Sequence, residues 1–315
     1  MLLRLLPVAM SPVTSGIAPR RFAAAEQVGF LAGSGSASIG RRALINLGAA
    51  VLLALPASTS AAEPGEVRAV LESATWDETA PFTREDFRRL DESDDSRFYD
   101  DPKLVQHIDD AAVASTTSFY SQLFASLAAS GEAPPRPLSV LDLCSSWVSH
   151  YPPAGTGPPL GRVEGLGMNA AELAANPVLT GYKVQDLNRS PALPYADASF
   201  DAVTCTVSID YLVRPLEVVA EAARVLRPGG KVAFVFSNRL FFSKAVALWT
   251  GKDDLEHVYT VGSYVHYGAG GLLTPPEAVD LTPPSARRRG GGKPQGDPLY
   301  AVVATRTTAP PPRSA

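Results

Sequence analysis

Cysteine, histidine and net charge are all scarce in this chain of 315 residues, which contains two cysteines, four histidines and a formal charge of −4 at pH 7. Cys144 and Cys205 alone cannot build a disulfide-rich scaffold or a cysteine-based zinc site. No histidine pair has the spacing of metal ligands either. We therefore predict two buried free thiols and no metal site.

The chain has nearly equal numbers of basic and acidic residues, so it lacks the excess of positive charge that is typical of nucleic-acid-binding proteins. Hydrophobic residues make up 45% of the chain and charged residues 19%, which is typical of a globular protein with a sizeable core. A basic cluster stands among glycines, which favours a solvated loop; it consists of Arg287, Arg288, Arg289 and Lys293. We predict no nucleic-acid partner.

Acidic residues are almost missing from residues 1–62, where Glu26 stands against five arginines. This composition is typical of an organelle transit peptide. Arg41-Arg42, the apolar residues 43–55 and the small residues 57–62 then resemble a twin-arginine export signal. Together they predict a chloroplast protein of the thylakoid lumen or the stroma; a single plastid or mitochondrial presequence is the alternative. The apolar run is shorter than the roughly 20 residues that span a bilayer, so we expect no stable membrane span in the mature protein.

Residues 63–101 form a polar, acidic lead segment before the domain, and we interpret residues 91–95 and 100–101 within it as a solvated approach. Thr83 and Asp86, preceded by Phe82, predict a short helix that begins with a capping box and an apolar staple. The acidic residues 91–95 show no metal-ligand spacing.

From Pro102 onward, alternating hydrophobic patterns predict one domain over residues 102–306, followed by a disordered tail at residues 307–315. Pro102 should open a helix with Leu104 and Ile108 on its buried face. The predicted strands are residues 138–143, 162–168, 182–187, 200–208, 231–237, 277–281 and 299–305, and the later helices are residues 215–226 and 239–250. Alternating strands and helices favour a parallel sheet covered on both faces.

Three segments carry the main motif signal: residues 138–150, with a strand ending in Asp142, and then residues 198–208 and 224–234. Their order and spacing resemble the class I S-adenosylmethionine-dependent methyltransferases often called type 11. Shorter segments, such as residues 145–150, are similar to an uncharacterised group of plastid and bacterial methyltransferase-like proteins. The resemblance implies an α/β, Rossmann-like methyltransferase fold: a mostly parallel seven-stranded sheet with a C-terminal antiparallel strand pair and helices on both faces. It also implies S-adenosylmethionine as cofactor and a small-molecule acceptor.

The loop after the first strand departs from the family pattern, which places Gly-x-Gly after the acid. Cys144 and Ser146 stand at the glycine positions, and Asp142 matches the acid. The resemblance implies that the hydroxyls of Ser145 and Ser146 receive the methionine part of the cofactor. Since the strand with Cys205 lies beside this loop in such a fold, a redox-sensitive thiol pair is the alternative to two free thiols.

The loops after the next two strands are implied to hold the adenosine part of the cofactor. Gly167 stands where the family has an acid for the ribose hydroxyls, and Asn169 offers a hydrogen bond instead. Asp186 matches the acid that receives the adenine amino group; a turn cap is the alternative role. The other implied cofactor contacts are Met168, Leu187 and Ser208.

Methyl transfer needs mainly an acceptor held in line, and a base only if the acceptor must lose a proton. His107 and His150 are the candidate bases, with a structural hydrogen-bonding role as the alternative. The candidate acceptor-pocket residues are Asp109, Trp147, Tyr211, Asn238 and Arg239, and Asp210 follows the same strand as Tyr211. For Trp147, packing in the core is the alternative.

The leading hypothesis is methyl transfer from S-adenosylmethionine to a small molecule. A non-catalytic methyltransferase-like protein that serves in binding or assembly in the plastid is the alternative, because two consensus positions are substituted. A nicotinamide dehydrogenase lacks support, since the dinucleotide fingerprint is missing and the terminal strand pair does not suit it. The sequence leaves the oligomeric state open.

Overall fold

The structure is a computed structural model that describes residues 62–130, 136–287 and 296–308. The predicted targeting segment, apart from Ala62, lies outside the described residues. Of the predicted basic cluster, only Arg287 lies within them.

A single seven-stranded sheet forms the centre of the described chain, in the order β3-β2-β1-β4-β5-β7-β6. Strands β1 to β5 are parallel to one another, whereas β7 runs antiparallel to both β5 and β6. The predicted mixed sheet with a C-terminal antiparallel pair is therefore confirmed. Its strands are β1 (Leu138–Leu143), β2 (Leu160–Gly167), β3 (Gly181–Val184), β4 (Phe200–Thr206), β5 (Leu226–Ser237), β6 (Glu277–Asp280) and β7 (Leu299–Thr305).

Six α-helices accompany the sheet within the described residues. They are α1 (Pro64–Glu72), α2 (Asp95–Phe98), α3 (Asp110–Ser130), α4 (Ala170–Ala175), α5 (Pro215–Val225) and α6 (Asp254–Gly268). Side chains of α1, α5 and α6 share one hydrophobic cluster with the sheet, and α3 shares the other. Helices thus cover both faces, as predicted, which explains why β1 and β4 read as nearly continuous apolar runs.

The helix predicted from Pro102 begins only at Asp110, so that prediction was wrong by two turns. Asp109 accepts a hydrogen bond from the Ala112 backbone N–H at 2.9 Å and caps the first turn. Residues 102–109 are non-helical, and Leu104 is 54% exposed rather than buried. Asp109 was the stronger start signal, because its side chain supplies the cap that Pro102 cannot.

The helix predicted at residues 239–250 was also wrong: this stretch forms turns, and α6 follows it. Asp253 and Glu256 form a reciprocal capping box at the start of α6. The preceding turns pair instead with other segments, since Val246 donates its backbone N–H to Asp210 O at 3.0 Å and bridges Arg89.

The lead segment packs into the domain, and the predicted solvated approach is wrong at Asp95, which is buried and ion-paired with Arg89 at 2.8 Å. In α1, Val67, Val70 and Leu71 are buried in the core. Gly262 of α6 permits the close approach of Leu71, whose Cδ2 would lie 2.3 Å from a Cβ at residue 262. The α1 helix is therefore an integral part of the domain.

Two smaller expectations at the ends of the domain had different outcomes. The capping box of Thr83 and Asp86 is present, at the start of a 3-10 helix, and Phe82 contacts Phe87 with ring centroids 5.6 Å apart. The tail prediction was wrong at its first residue, because Thr307 donates its backbone N–H to Leu272 O at 2.9 Å. No helix in the described part of the chain is long and apolar enough to cross a membrane.

Candidate functional site

The carboxyl ends of β1, β2, β3 and β4 lie at one edge of the sheet, where open α/β folds bind their ligands. We call this the ligand edge: residues 144–150 after β1, residues 168–172 after β2, residues 185–189 after β3 and residues 207–211 after β4. Every residue that the sequence implied as a cofactor contact lies in these loops or at a strand end leading into them.

Asp142 at the end of β1 is 3% exposed and organises the loop that follows it. Its carboxylate accepts hydrogen bonds from the hydroxyls of Ser145 and Ser149, each at 2.7 Å, and of Thr204 at 3.3 Å. Burial outweighs these bonds and raises the pKa of Asp142 to about 6. The Ser145 hydroxyl therefore serves the loop itself, rather than standing free for a ligand as expected.

The glycine-free turn keeps a glycine-like backbone. Cys144, at the first glycine position of the family pattern, has φ +52°, and His150 has φ +57°. This left-handed conformation costs a non-glycine residue about 1–2 kcal/mol. The substitution has thus kept the shape of the turn and added a side chain to it.

The missing ribose acid at Gly167 also has a steric explanation. The Ser145 backbone N–H donates to Leu166 O at 2.9 Å, which draws the β1 loop against the end of β2. A Cβ on residue 167 would lie 2.0 Å from the Ser145 carbonyl oxygen. No side chain can occupy that position without moving the loop.

A carboxylate does lie nearby, on α4, and the sequence interpretation missed it. Glu172 is 7% exposed and accepts hydrogen bonds from the Ser146 hydroxyl and from the Lys103 backbone N–H, each at 2.6 Å. Asn169 caps α4 by accepting from the backbone N–H groups of residues 171 and 172. The Asn-x-x-Glu spacing at a helix start was the signal that could have revealed it.

The β3 loop shows the alternative role for Asp186. Its Oδ1 accepts the Asn188 backbone N–H at 2.8 Å, which makes an Asx turn, and β3 already ends at Val184. Leu187 is buried in the core and Met168 is half-buried. The turn uses only Oδ1 of Asp186, so it leaves Oδ2 for a ligand.

The β4 loop contains the least satisfied carboxyl group of the ligand edge. Asp210 is 2% exposed, its Oδ2 has no hydrogen-bond partner, and burial raises its pKa to about 7. Beside it, the Tyr211 hydroxyl accepts the Phe241 backbone N–H at 2.8 Å. The Ser208 hydroxyl donates to Thr206 O at 3.0 Å, within its own loop.

The two candidate bases lie near each other. His107 was predicted to lie on the helix that starts at Pro102, but it precedes α3. Burial and the nearby His107 lower the pKa of His150 to about 4, and its Nδ1 has no partner. Burial also lowers the pKa of His107. Trp147 is half-buried, outside the core. Its indole N–H is not available to a ligand, because it donates to Val105 O at 3.1 Å.

Asp109 and Arg239 take a structural role instead of shaping an acceptor pocket. Both hold Asp297: Arg239 Nε donates to Asp297 Oδ1 at 2.5 Å, and Asp109 and Asp297 exchange backbone-to-carboxylate hydrogen bonds at 2.7 and 2.8 Å. Asn238 is exposed next to them. Asp297 itself carried no sequence signal, because its partners lie 188 and 58 residues away.

The thiols are neighbours, as the fold implied. Leu143 of β1 is in register with Cys205 of β4, and Cys144 follows directly. Both cysteines are free. A hydrogen bond with Cys144, together with burial, raises the pKa of the Cys205 thiol.

The chemistry of the ligand edge suits S-adenosylmethionine, which the resemblance implied. Its carboxylates, hydroxyls and amide are of the kinds that bind ribose hydroxyls, an adenine amino group and an amino acid. Most of these groups form hydrogen bonds within the protein, and four of these hydrogen bonds have their partner in residues 99–107. Among the described residues, no cluster of three or more metal-ligand side chains occurs.

Comparison with known proteins gives one family match: residues 165–234 match the methyltransferase domain family. The matched stretch runs from the end of β2 into β5. It leaves out the β1 loop, which is the part that departs most from the family pattern.

The chain spans less than a third of the length of the curated relatives it matches. Malonyl-(acyl-carrier protein) O-methyltransferase of Marinomonas sp. is 34% identical over 80 residues, which is 25% of this chain and 28% of that protein. Demethylmenaquinone methyltransferase of Renibacterium salmoninarum is 45% identical over 51 residues, 16% of this chain and 22% of that protein.

Solved structures give more distant matches. An S-adenosylmethionine-dependent methyltransferase from Mesorhizobium loti is 15% identical, with a TM-score of 0.36 over 57% of this chain and 96% of that one. The fold assignment therefore depends on the strand order and directions of this chain itself.

Proposed function

We propose that this chain, whose residues 165–234 belong to the methyltransferase domain family, transfers a methyl group from S-adenosylmethionine to a small-molecule acceptor. The observation that carries the proposal is that the matched residues coincide with β3, β4 and their loops, in a sheet with the antiparallel β7 between β5 and β6. The named relatives differ in their acceptors, so the proposal extends only to the reaction type and to a small molecule.

The cofactor, when bound, supplies a methyl group already activated by its sulfonium charge. The chain's own task is then to hold and orient two ligands and to exclude water. We assign Glu172 to the ribose hydroxyls in place of the acid excluded at residue 167, Asp186 to the adenine amino group, and Ser146 to the methionine part. Each assignment uses a polar side chain that the fold brings to the ligand edge.

If the acceptor must lose a proton, we assign Asp210 as the base. A general base works best with a pKa near the working pH, and the pKa of Asp210 is raised to about 7. His150, with a pKa of about 4, is a weaker base at neutral pH. The Oδ2 atom of Asp210 has no hydrogen-bond partner, but it is buried, so the acceptor must displace what covers it to deliver the proton.

Calorimetric titration of the full chain with S-adenosylmethionine and S-adenosylhomocysteine tests the cofactor assignment. We expect binding that Glu172→Gln weakens about tenfold, because a hydrogen bond to a charged group is worth about 1.5–3 kcal/mol. Gln still accepts the Lys103 N–H, so the fold should persist. The control is Glu217→Gln on the exposed side of α5. Absence of binding at millimolar ligand would refute the proposed cofactor.

A second variant pair separates the two roles of Asp186. Asp186→Asn keeps the acceptor of the Asx turn, whereas Asp186→Ala removes it. If Asp186 binds adenine, both variants lose affinity for S-adenosylhomocysteine, and the Asn variant keeps its thermal stability. Unchanged affinity in the Asn variant would assign Asp186 to the turn alone.

We also propose import into the chloroplast, with the lumen and the stroma as competing destinations. The proposal depends on the composition of residues 1–62 alone. Fusions of these residues to a fluorescent protein, with and without Arg41→Lys and Arg42→Lys, would test it. Lumenal delivery should require the arginine pair, whereas stromal delivery should not.

A further inference from the structure

The segment between α2 and α3 lies across the ligand edge. Residues 99–107, which we call the strap, are fixed at both ends by buried polar contacts. On one side Asp95 is buried and ion-paired with Arg89 at 2.8 Å, and on the other Asp109 exchanges hydrogen bonds with Asp297. The strap itself is non-helical.

Between these fixed ends, four hydrogen bonds hold the strap to the loops after β1 and β2. The Asn169 side-chain amide donates to the carbonyl oxygens of Tyr99 and Asp100 at 2.8 and 2.9 Å. The Lys103 N–H donates to Glu172 at 2.6 Å, and Trp147 donates to Val105 O at 3.1 Å. Three of the four bonds use strap carbonyl groups and one uses a strap N–H, and backbone groups of this kind carry no residue-specific signal.

These hydrogen bonds join the strap to Glu172 and Asn169 with no atom in between. A lid that closes over a bound ligand would instead leave room for the ligand between itself and the side chains that bind the ligand. Here the strap backbone lies within 2.6 to 2.9 Å of Glu172 and Asn169, so no ligand atom fits between them.

The strap also carries a half-buried ring, Tyr99. Burial raises the pKa of the Tyr99 phenol, and the nearby Cys144, Asp95 and Asp210 raise it further. The ring packs edge-on against Phe98, with ring centroids 5.0 Å apart. The exposed side chains of the strap, Leu104 at 54% and Val105 at 56%, contribute little packing that would hold it down.

We propose that the strap and the nucleoside cofactor compete for the same edge, so that the cofactor binds only when residues 99–107 move away from Asn169 and Glu172. This inference depends on the proposed cofactor. Its consequence is an apparent affinity lowered by the fraction of molecules in which the strap is closed.

A matched pair of variants at Lys103 tests this in the full chain. Lys103→Pro removes the N–H that binds Glu172, whereas Lys103→Ala keeps that N–H and removes only the side chain, which bonds to Phe98 O. Competition predicts that the Pro variant binds S-adenosylhomocysteine about fivefold more tightly, the effect of one lost strap hydrogen bond, with the Ala variant within about twofold of the parent chain. Trp147→Phe, which removes the bond to Val105, should act like the Pro variant.

Hydrogen exchange of the strap amides provides a readout independent of catalysis. Saturation with S-adenosylhomocysteine should make residues 99–107 exchange faster. Slower exchange on binding, or equal affinities of the Pro, Phe and Ala variants, would refute competition while leaving the proposed function intact. If neither the parent chain nor any variant binds at millimolar ligand, the strap inference and the proposed cofactor are both refuted.

Discussion

A Cβ atom on Gly167 would lie 2.0 Å from the carbonyl oxygen of Ser145, a distance at which two such atoms cannot coexist. This contact makes the loss of the ribose acid after β2 a consequence of how the β1 loop folds. Glu172 is a buried carboxylate that the loop itself binds, through Ser146. The substituted positions in the two loops are therefore coupled and not independent.

Gly167→Ala should destabilise the domain by about 3 kcal/mol, because a buried backbone contact must open to admit one methyl group. Urea unfolding followed by circular dichroism measures this change in the free energy of unfolding. The matched control is Gly157→Ala, where a Cβ meets no atom within 4 Å and the change should stay within about 0.5 kcal/mol. Equal stability of the two variants would show that the β1 loop yields without cost.

Sequence patterns were sufficient for the central strands, because β1, β4 and β7 are largely apolar runs that both sheet faces bury. Helix α5 was predicted to within one residue, since Pro215 begins it and Val218, Val219 and Ala222 share its buried face. Strand β3 was less certain, and it ends three residues earlier than predicted because Asp186 begins a turn.

The candidate site was less predictable, because its contacts join residues that lie far apart in the chain. The bond between Lys103 and Glu172 spans 69 residues and uses a backbone N–H, which carries no residue-specific signal. The residue types did indicate the right loops, as Asp142, Ser145 and Asp186 show. What they could not indicate is which partner each side chain already has.

Asp142→Asn should change how the stability of the domain depends on pH. The pKa of Asp142 is raised from 3.8 to about 6 by burial, so the folded state binds the proton more tightly than the unfolded state. The stabilisation from this proton is complete below pH 4 and is lost as the pH rises toward 6. Asn imitates the neutral carboxyl at every pH.

The variant should therefore match the parent chain near pH 4 and exceed it at pH 7 by on the order of 2–3 kcal/mol. Urea unfolding at several pH values between 4 and 7 measures the difference. Asp210 has the same direction of shift and remains in both proteins, so its contribution cancels. A variant less stable than the parent chain at pH 7 would mean that the hydroxyls of Ser145 and Ser149 stabilise the ionised form.

Cys144 and Cys205 should differ sharply in reactivity although they are neighbours. Cys144 is half-buried in the turn, whereas Cys205 is 1% exposed and its pKa is raised by the bond to Cys144 and by burial. Iodoacetamide followed by mass spectrometry should label Cys144 in the native protein and Cys205 only in denaturant. Cys144→Ser should abolish native labelling.

The opposite outcome for the thiols is equally measurable. If the two form a redox pair, mild oxidation of the native protein should lower its mass by two hydrogens and protect both cysteines from labelling. An unchanged mass, with Cys144 still reactive, would leave two free thiols as the correct interpretation.

Lys244→Met should strongly destabilise the packing of the lead segment against the domain. The Lys244 ammonium is 1% exposed and pairs with Asp91 at 3.0 Å and Asp95 at 3.1 Å. Burial alone would raise the pKa of Asp95, but hydrogen bonds from Arg89 and Asn188, aided by Lys244, hold it below its usual value. Removing the ammonium leaves this buried carboxylate with less compensation.

We expect a loss of about 3 kcal/mol in the free energy of unfolding for Lys244→Met, measured by urea titration at pH 7. The control is Arg88→Ala, whose ion pair with Glu85 is mostly exposed and whose loss should change stability by less than about 0.5 kcal/mol. Because Asp95 fixes one end of the strap, Lys244→Met should also speed hydrogen exchange at residues 99–107. A stable variant with an unchanged strap would show that Arg89 and Asn188 are sufficient to hold Asp95 in the core.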